Sequence, residues 1–354
     1  MIELAMLGMG ERGRRRLSCL AGSALPGVVV KKVCDRDPAA RQWVKERYPE
    51  IETLAEPRDA LMDLSTAAVI LALPPREQAA VACQALASDK HCLLEWPPAL
   101  GLNELRELQT FSRERRRVCA ASLPLLFHPA AAPTRELIAR RDLGQLFFLS
   151  ATHHAPRAPL IEQHVTWSLA AEEIALALWW LGESPRRVSA TGFYFLNHRA
   201  DTATLAIEFL SGRQALIGVS ILDAEPVREI SIVGSRRSVR LDLSRPRPAP
   251  FGSEPQGRRL ALHTPARPRG AGGESGGVAE VSSVPVPEQD PLLEESRHFL
   301  ACVREGVEPV ANLSRVEEVL RVLAAADLSL RYDGAHVDVA RQVVQIPKGW
   351  RAAA

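Results

Sequence analysis

Short apolar runs alternate with amphipathic stretches through the first third of the chain. The runs at Ile2–Leu7 and at residues 28–34, 67–73, 91–94 and 118–121 read as strands, and residues 77–87 and 102–115 carry helical spacing. Strands separated by helices of ten or more residues form βαβ units, so this pattern predicts a parallel, doubly wound sheet.

After residue 123 the pattern changes. Residues 145–152 read as a strand, and 168–181 as one apolar helix closed by Gly182. Alternating segments follow at 188–194, 202–210, 214–221, 229–233 and 238–243, with Ser211-Gly212 as a hairpin signal between two of them. Hairpin-linked strands of this kind predict a largely antiparallel sheet in an α+β domain. Residues 244–277, rich in Pro, Gly and Arg and without period, predict a long exposed loop. Near the C-terminus Ser314 and Glu317 read as a capping box for a helix whose apolar stripe is Val316, Val319, Leu320 and Leu323. The expected division is a nucleotide-binding domain over 1–122 and an α+β substrate and oligomerisation domain over 123–354.

Composition narrows the class. Hydrophobic residues make up 46% and charged residues 24% of 354, ample for two cores. A net charge of +2 gives no bulk attraction to nucleic acid or an anionic membrane. The clusters Arg14-Arg15-Arg16 and Arg115-Arg116-Arg117 read as solvated helix faces. Six cysteines are scattered without a C-x-x-C pair, which argues against a disulfide framework and against a metal site. With no signal-like start and no apolar stretch long enough for a bilayer, the expectation is a cytoplasmic protein with a small-molecule partner.

Chemistry enters at Gly8-Met9-Gly10-Glu11-Arg12-Gly13, a G-x-G-x-x-G run between the first strand and a helix. The first glycine permits the turn, the second admits a pyrophosphate, and the third lets helix and strand approach. The helix start offers free N–H groups to the phosphates. Asp35, about twenty residues beyond Gly13 at the end of the second strand, is placed to accept from a ribose diol. That acid favours NAD(H) over NADP(H), although the neighbouring Arg36 could bind a 2′-phosphate.

The chain also resembles the glucose–fructose oxidoreductase / inositol dehydrogenase (Gfo/Idh/MocA) family. The matching pieces are Gly8 to Gly13, Cys34-Asp35-Arg36-Asp37-Pro38, Leu71-Ala72-Leu73-Pro74-Pro75, His91-Cys92-Leu93-Leu94-Glu95-Trp96-Pro97 and Ala177-Leu178-Trp179-Trp180-Leu181-Gly182, with a C-terminal stretch over 306–334. The resemblance implies a Rossmann domain followed by an open-faced sheet that joins subunits into homodimers or homotetramers. It implies hydride transfer at a nicotinamide, with Leu73, Pro74, Glu95 and Pro97 at the cofactor and the substrate between the domains.

Departures from the family pattern are concentrated at the reacting end. The usual Glu-Lys-Pro lysine is Trp96, whose indole cannot act as a general acid or base at neutral pH. The Asp and His of the pocket helix become Ser168 and Glu172, and the histidine after the Pro-Pro loop becomes Gln78. Trp96, Gln78, Ser168 and His164 are therefore expected to line the substrate pocket. Glu172 and His154 are the candidate proton-transfer groups, with Glu173 read as a carboxylate that offsets the helix dipole. Three readings follow: a reductase of an imine or a conjugated, planar molecule; a sugar or polyol dehydrogenase with relocated catalytic groups; and a non-catalytic sensor of NAD(P).

Overall fold

The computed structural model describes residues 1–23, 25–156, 158, 164–196, 198–244, 259–264, 280–284, 286–287 and 289–345. The chain runs β1 (Ile2–Leu7), α1 (Glu11–Ala21), β2 (Val28–Cys34), α2 (Pro38–Arg47), β3 (Glu52–Leu54), α3 (Pro57–Met62), β4 (Thr66–Leu71), α4 (Pro75–Ala87), β5 (His91–Leu94), α5 (Leu102–Glu114) and β6 (Cys119–Ala121). After a short 3-10 turn at Pro124–Phe127 come α6 (Ala131–Ala139), β7 (Leu146–His154), α7 (Val165–Leu169), α8 (Ala171–Leu181), β8 (Pro185–Phe193), β9 (Thr202–Phe209) and β10 (Gln214–Ser220). The remainder is β11 (Val227–Gly234), β12 (Ser238–Asp242), β13 (Arg259–Thr264), β14 (Glu280–Val284), α9 (Pro291–Glu305), α10 (Leu313–Arg331), β15 (His336–Asp338) and β16 (Val343–Gln345).

Two units emerge, residues 1–127 with 289–317, and residues 128–288 with 318–354. The first is a parallel sheet in the order β3-β2-β1-β4-β5-β6. Strands β1 and β4 are buried along almost their whole length, which is why they read as unbroken apolar runs. Asp37 caps α2 by accepting from Ala39 N at 2.9 Å, with Pro38 preset for the first turn. The strand order reverses between β1 and β4, where open α/β sheets receive their ligands. β3 escapes the hydrophobic pattern because it is a three-residue edge strand beginning with an exposed glutamate.

The first unit ends at Phe127 and takes up residues 289–317 as well, a stretch assigned from sequence to the second domain. Helix α9 returns to the first unit, where Phe299 and Leu300 join the core formed by Leu4, Met6, Leu17, Leu20 and Ile70. A stripe of this kind shows that a helix is amphipathic without showing which sheet it covers.

The second unit is a ten-stranded sheet in the order β14-β13-β12-β11-β7-β10-β9-β8-β15-β16. Its pairs are antiparallel except β7 with β10, so the sheet is mixed and largely antiparallel as expected. In β9 alternate residues are buried, and Leu216 on β10 and Phe193 on β8 are exposed, as an open-faced sheet requires.

Three local expectations need correction. The helix read as 168–181 is divided into α7 and α8 at Ala170. The loop read as 244–277 contains β13, which pairs with β12 and β14; residues 245–258 and 265–279 lie outside the described residues. The start of α10 is capped by Asn312, whose Oδ1 accepts from Arg315 N at 2.9 Å, so the helix begins earlier than a cap at Ser314 would allow. Glu317 turns instead to the Gln109 amide at 3.0 Å.

Phe299→Ala should lower stability by about 3–5 kcal/mol, the range for emptying a buried aromatic site. Denaturant unfolding followed at the Rossmann unit checks this; a change within ~0.5 kcal/mol would separate α9 from that core.

Candidate functional site

Gly8 ends β1 with φ +94°, and a Cβ there would run into the Ala72 carbonyl. Gly13 stands where a Cβ would strike the Gly8 carbonyl, so helix and strand meet backbone to backbone. Gly10 is different: nothing lies within 4 Å of where its Cβ would be. That glycine leaves open space at the start of an 11-residue helix, and no side chain caps the helix's first N–H groups. Beside it is a cavity of about 570 Å³ lined by Met9, Gly10, Glu11, Arg14, Asp35, Asp37 and Ala40.

Asp35 is locked in place by backbone. Its Oδ2 accepts from Met9 N at 2.6 Å and its Oδ1 from Asp37 N at 2.8 Å. Each carboxylate oxygen retains further acceptor capacity. Arg36 points elsewhere, pairing with Glu77 at 3.3 Å and Glu56 at 3.7 Å. Arg14 donates Nε to the Met9 carbonyl at 2.9 Å and lays its guanidinium over Trp43 at 5.0 Å. These residues fit an adenine dinucleotide: room for a pyrophosphate at Gly10, unfilled helix N–H groups, and an oriented carboxylate for a ribose.

The loops after β4 and β5 are tied beneath this cradle. Gln78, expected at a substrate pocket, is 1% exposed. Its Oε1 accepts from Leu73 N at 3.2 Å, and its Nε2 donates to the Pro97 carbonyl at 2.9 Å and to the Glu95 carbonyl. It is a brace between the two loops, and it fixes Leu73 and Pro97 while leaving Pro74 to open α4. Trp96 is buried, its peptide bond to Pro97 is cis, and its carbonyl accepts from Arg12. A ring so covered has little face left for stacking a planar molecule.

Glu95 turns inward to a residue that sequence reasoning placed in solvent. Arg16 is 0% exposed and donates Nε to Glu95 at 2.6 Å, Nη2 to Glu295 at 2.8 Å and to Ser122 at 2.7 Å, and Nη1 to Ser296 at 3.1 Å. Glu295 also accepts from Leu123 N at 2.6 Å. One guanidinium thus serves two carboxylates out of water. Burial pushes Glu295 up to about 7, against the pull of Arg16 and with the added repulsion of Glu95. No local sequence signal separates Arg16 from Arg14 and Arg15, because its burial depends on partners distant in the chain.

In the second unit, Glu173 is the organising group, not a dipole-offsetting surface acid. Its side chain is fully buried, and Oε1 accepts from Arg228 Nε at 2.8 Å and lies 3.2 Å from His153 Nδ1. Burial works against its charge, but Arg228 and then His153 hold its carboxyl down to about 2. Its other oxygen is buried without a hydrogen-bond partner among the described residues. Glu172, a candidate proton-transfer group, binds the same arginine at 2.9 Å and is part-exposed. His153 Nδ1 also lies 3.0 Å from the Leu169 carbonyl. A carbonyl only accepts, so Nδ1 carries the hydrogen and Nε2 is the basic nitrogen.

The remaining candidates fall outside this cluster. His154 Nδ1 pairs with Asp223 at 3.0 Å. His164 begins α7 and accepts from Ala200 N at 3.0 Å; burial, then nearby arginines, push its pKa down. Ser168 sits on the separate short helix α7. Among the described residues no group of three or more His, Cys, Asp or Glu could hold a metal ion, and no helix is long and apolar enough to cross a membrane.

Two contrasts test this geometry. Gly10→Ala should leave thermal stability within ~0.5 kcal/mol of wild type but cut dinucleotide affinity roughly tenfold or more, whereas Gly13→Ala should unsettle the fold itself. Calorimetry and thermal melts read the two effects separately. Glu295 binds its proton more tightly folded than unfolded, so its contribution to stability falls as pH rises from 4.5 to about 7. Denaturation across that range should show this slope in wild type and its absence in Glu295→Gln.

Residues 2–122 match the model of an oxidoreductase family with an NAD-binding Rossmann fold, GFO_IDH_MocA. The UDP-N-acetylglucosamine 3-dehydrogenase of Acidithiobacillus ferrooxidans is 26% identical over 244 residues, 68% of this chain and 74% of that protein. Its solved structure superposes with a TM-score of 0.77 at 21% identity, covering 94% of this chain and 98% of that one. Scyllo-inositol dehydrogenase of Lactobacillus casei gives 0.79 at 14% identity, covering 96% and 98%. Residues 2–122 thus match the NAD-binding Rossmann domain of that oxidoreductase family, and the chain as a whole shares the fold of these two dehydrogenases.

Proposed function

We propose that the protein is an NAD(H)-linked oxidoreductase acting on a small hydroxylated substrate of the sugar or polyol type. The open cradle at Gly10, beside an Asp35 carboxylate already oriented by two backbone N–H groups, carries this reading. Preference for NAD(H) over NADP(H) rests on charge. Glu11, Asp35 and Asp37 line the cavity where a 2′-phosphate would sit, against one cation, Arg14, and Arg36 is engaged with Glu56 and Glu77.

The bound nicotinamide would supply a hydride donor or acceptor at one ring carbon. Oxidising an alcohol also needs a base for the hydroxyl proton, and the loop that usually provides it here carries Trp96. Of the ionisable groups near the ends of β7 and the start of α8, His153 is best arranged for that role. Its Nδ1 is oriented by the Leu169 carbonyl and by the buried Glu173, which makes Nε2 the nitrogen assigned to proton transfer in this reading. A carboxylate shielded from water orients an imidazole more strongly than the part-exposed Asp223 orients His154. Glu172, bound to Arg228, would then act on the proton-transfer group through charge. The covered face of Trp96 weighs against a planar, conjugated substrate.

Assembly into homodimers or homotetramers through the open face of the sheet belongs to the same reading; sedimentation velocity measures it directly.

Calorimetry should give a dissociation constant for NADH at least ~10-fold below that for NADPH. Nucleotide-linked oxidation should appear within a panel that includes UDP-N-acetylglucosamine and inositols, the substrates named for related dehydrogenases. His153→Ala should lower kcat by about 10²–10⁴ with nucleotide affinity unchanged. Tight NADH binding with no turnover across the panel would instead support the sensor reading, and the absence of binding to either nucleotide would end both.

A further inference from the structure

We propose that the Rossmann unit carries a second ligand site, for a small organic anion, at the edge where its strands begin. There β5 starts at His91 and Val118 leads into β6, the edge opposite Gly8 and the other strand ends. A cavity of about 510 Å³ opens between the C-terminal end of α5 and residues 306–314. Arg113, Arg116 and Arg117 line it.

The charges facing this space do not cancel. Two acids line it, and each has a local partner: Glu308 accepts from Asn312 Nδ2 at 3.3 Å and Glu317 from Gln109 at 3.0 Å. Arg117 has only a distant ion pair, with Asp89 at 3.8 Å, and its Nε is buried without a hydrogen-bond partner among the described residues. The exposed guanidinium of Arg116 has no partner among the described residues. His91 adds no charge, because its Nδ1 accepts from Val118 N at 2.9 Å and burial, reinforced by Arg117, pushes it down to about 4.

Backbone adds to the same field. The 19-residue helix α10 begins at the cavity wall, and Asn312 takes only the Arg315 N–H of its first turn. First-turn N–H groups have no partner within the helix, and its dipole places partial positive charge there. Arginines at the end of α5 would by themselves be explained as companions of its carbonyls, as Arg113 is to Gln109 at 3.2 Å. That does not account for Arg117, which lines the cavity with a part-exposed side chain and no ion pair closer than 3.8 Å, nor for Arg116 beside it. Guanidinium forks match phosphate and carboxylate oxygens, and the apolar side chains of Val307 and Leu313 suit the organic body of such a ligand.

The inference does not depend on the nucleotide reading, and its test is kept separate from it. The full chain is titrated with inorganic phosphate and, in a second arm, with citrate, at constant ionic strength balanced by sodium chloride. Calorimetry and thermal melts are followed together. A saturable response in wild type, weakened about tenfold in Arg116→Gln/Arg117→Gln, is expected; that is the loss of one charge-assisted hydrogen bond. The single variant Arg116→Gln, at an exposed position, should weaken the response in the same direction and guards against misfolding of the double variant. A stronger response to phosphate identifies a phosphorylated ligand, and a stronger response to citrate a carboxylate. No saturable response to either anion, or one left unchanged by both variants as binding at α1 would be, overturns the proposal.

Discussion

The first unit is organised around the charge of Arg16. Its guanidinium reaches from α1 to Glu95 after β5, Ser122 after β6, and Glu295 and Ser296 on α9. Elements far apart in the chain are thereby held by one planar fork whose geometry is fixed. Removing one partner of such a buried set strands the others without water, which commonly costs about 3–5 kcal/mol. The loop that carries Trp96 and Pro97 therefore begins from a residue that cannot drift. Gln78 restrains the same loop from the other side, through carbonyls instead of charge.

Much of this fold can be read from sequence because its signals are local. Apolar runs of β1 and β4, the glycine spacing and the Asp37-Pro38 helix start each lie within a few residues. What could not be read depends on distant partners. Arg16 looks like its neighbours Arg14 and Arg15 until Glu95 and Glu295 are placed beside it. Helix α9 has an apolar stripe, but only the fold shows that it covers the Rossmann core and not the second sheet. β13 was hidden because its flanks are rich in Pro, Gly and Arg, and a short strand is readily masked by such composition.

The candidate site divides in the same way. Gly8 and Gly13 make the turn and the close helix–strand approach their spacing implied, and Gly10 and Asp35 line one cavity, since these positions are set by backbone. The acid and base groups were harder to place, because proton chemistry depends on neighbours. Glu173 and Glu172 are adjacent, yet one is enclosed with Arg228 and His153 while the other reaches partly into solvent. Sequence position alone ranked them in the opposite order.

The double hold on Asp35 has a kinetic meaning. A carboxylate pinned by Met9 and Asp37 before any ligand arrives has already lost its rotational freedom during folding. A sugar hydroxyl meeting it needs no induced rearrangement, so less of the contact energy is spent on ordering the receptor. Under the proposed function, a ligand entering this cavity would therefore meet a receptor already ordered, and its residence would depend on how many bonds must break together.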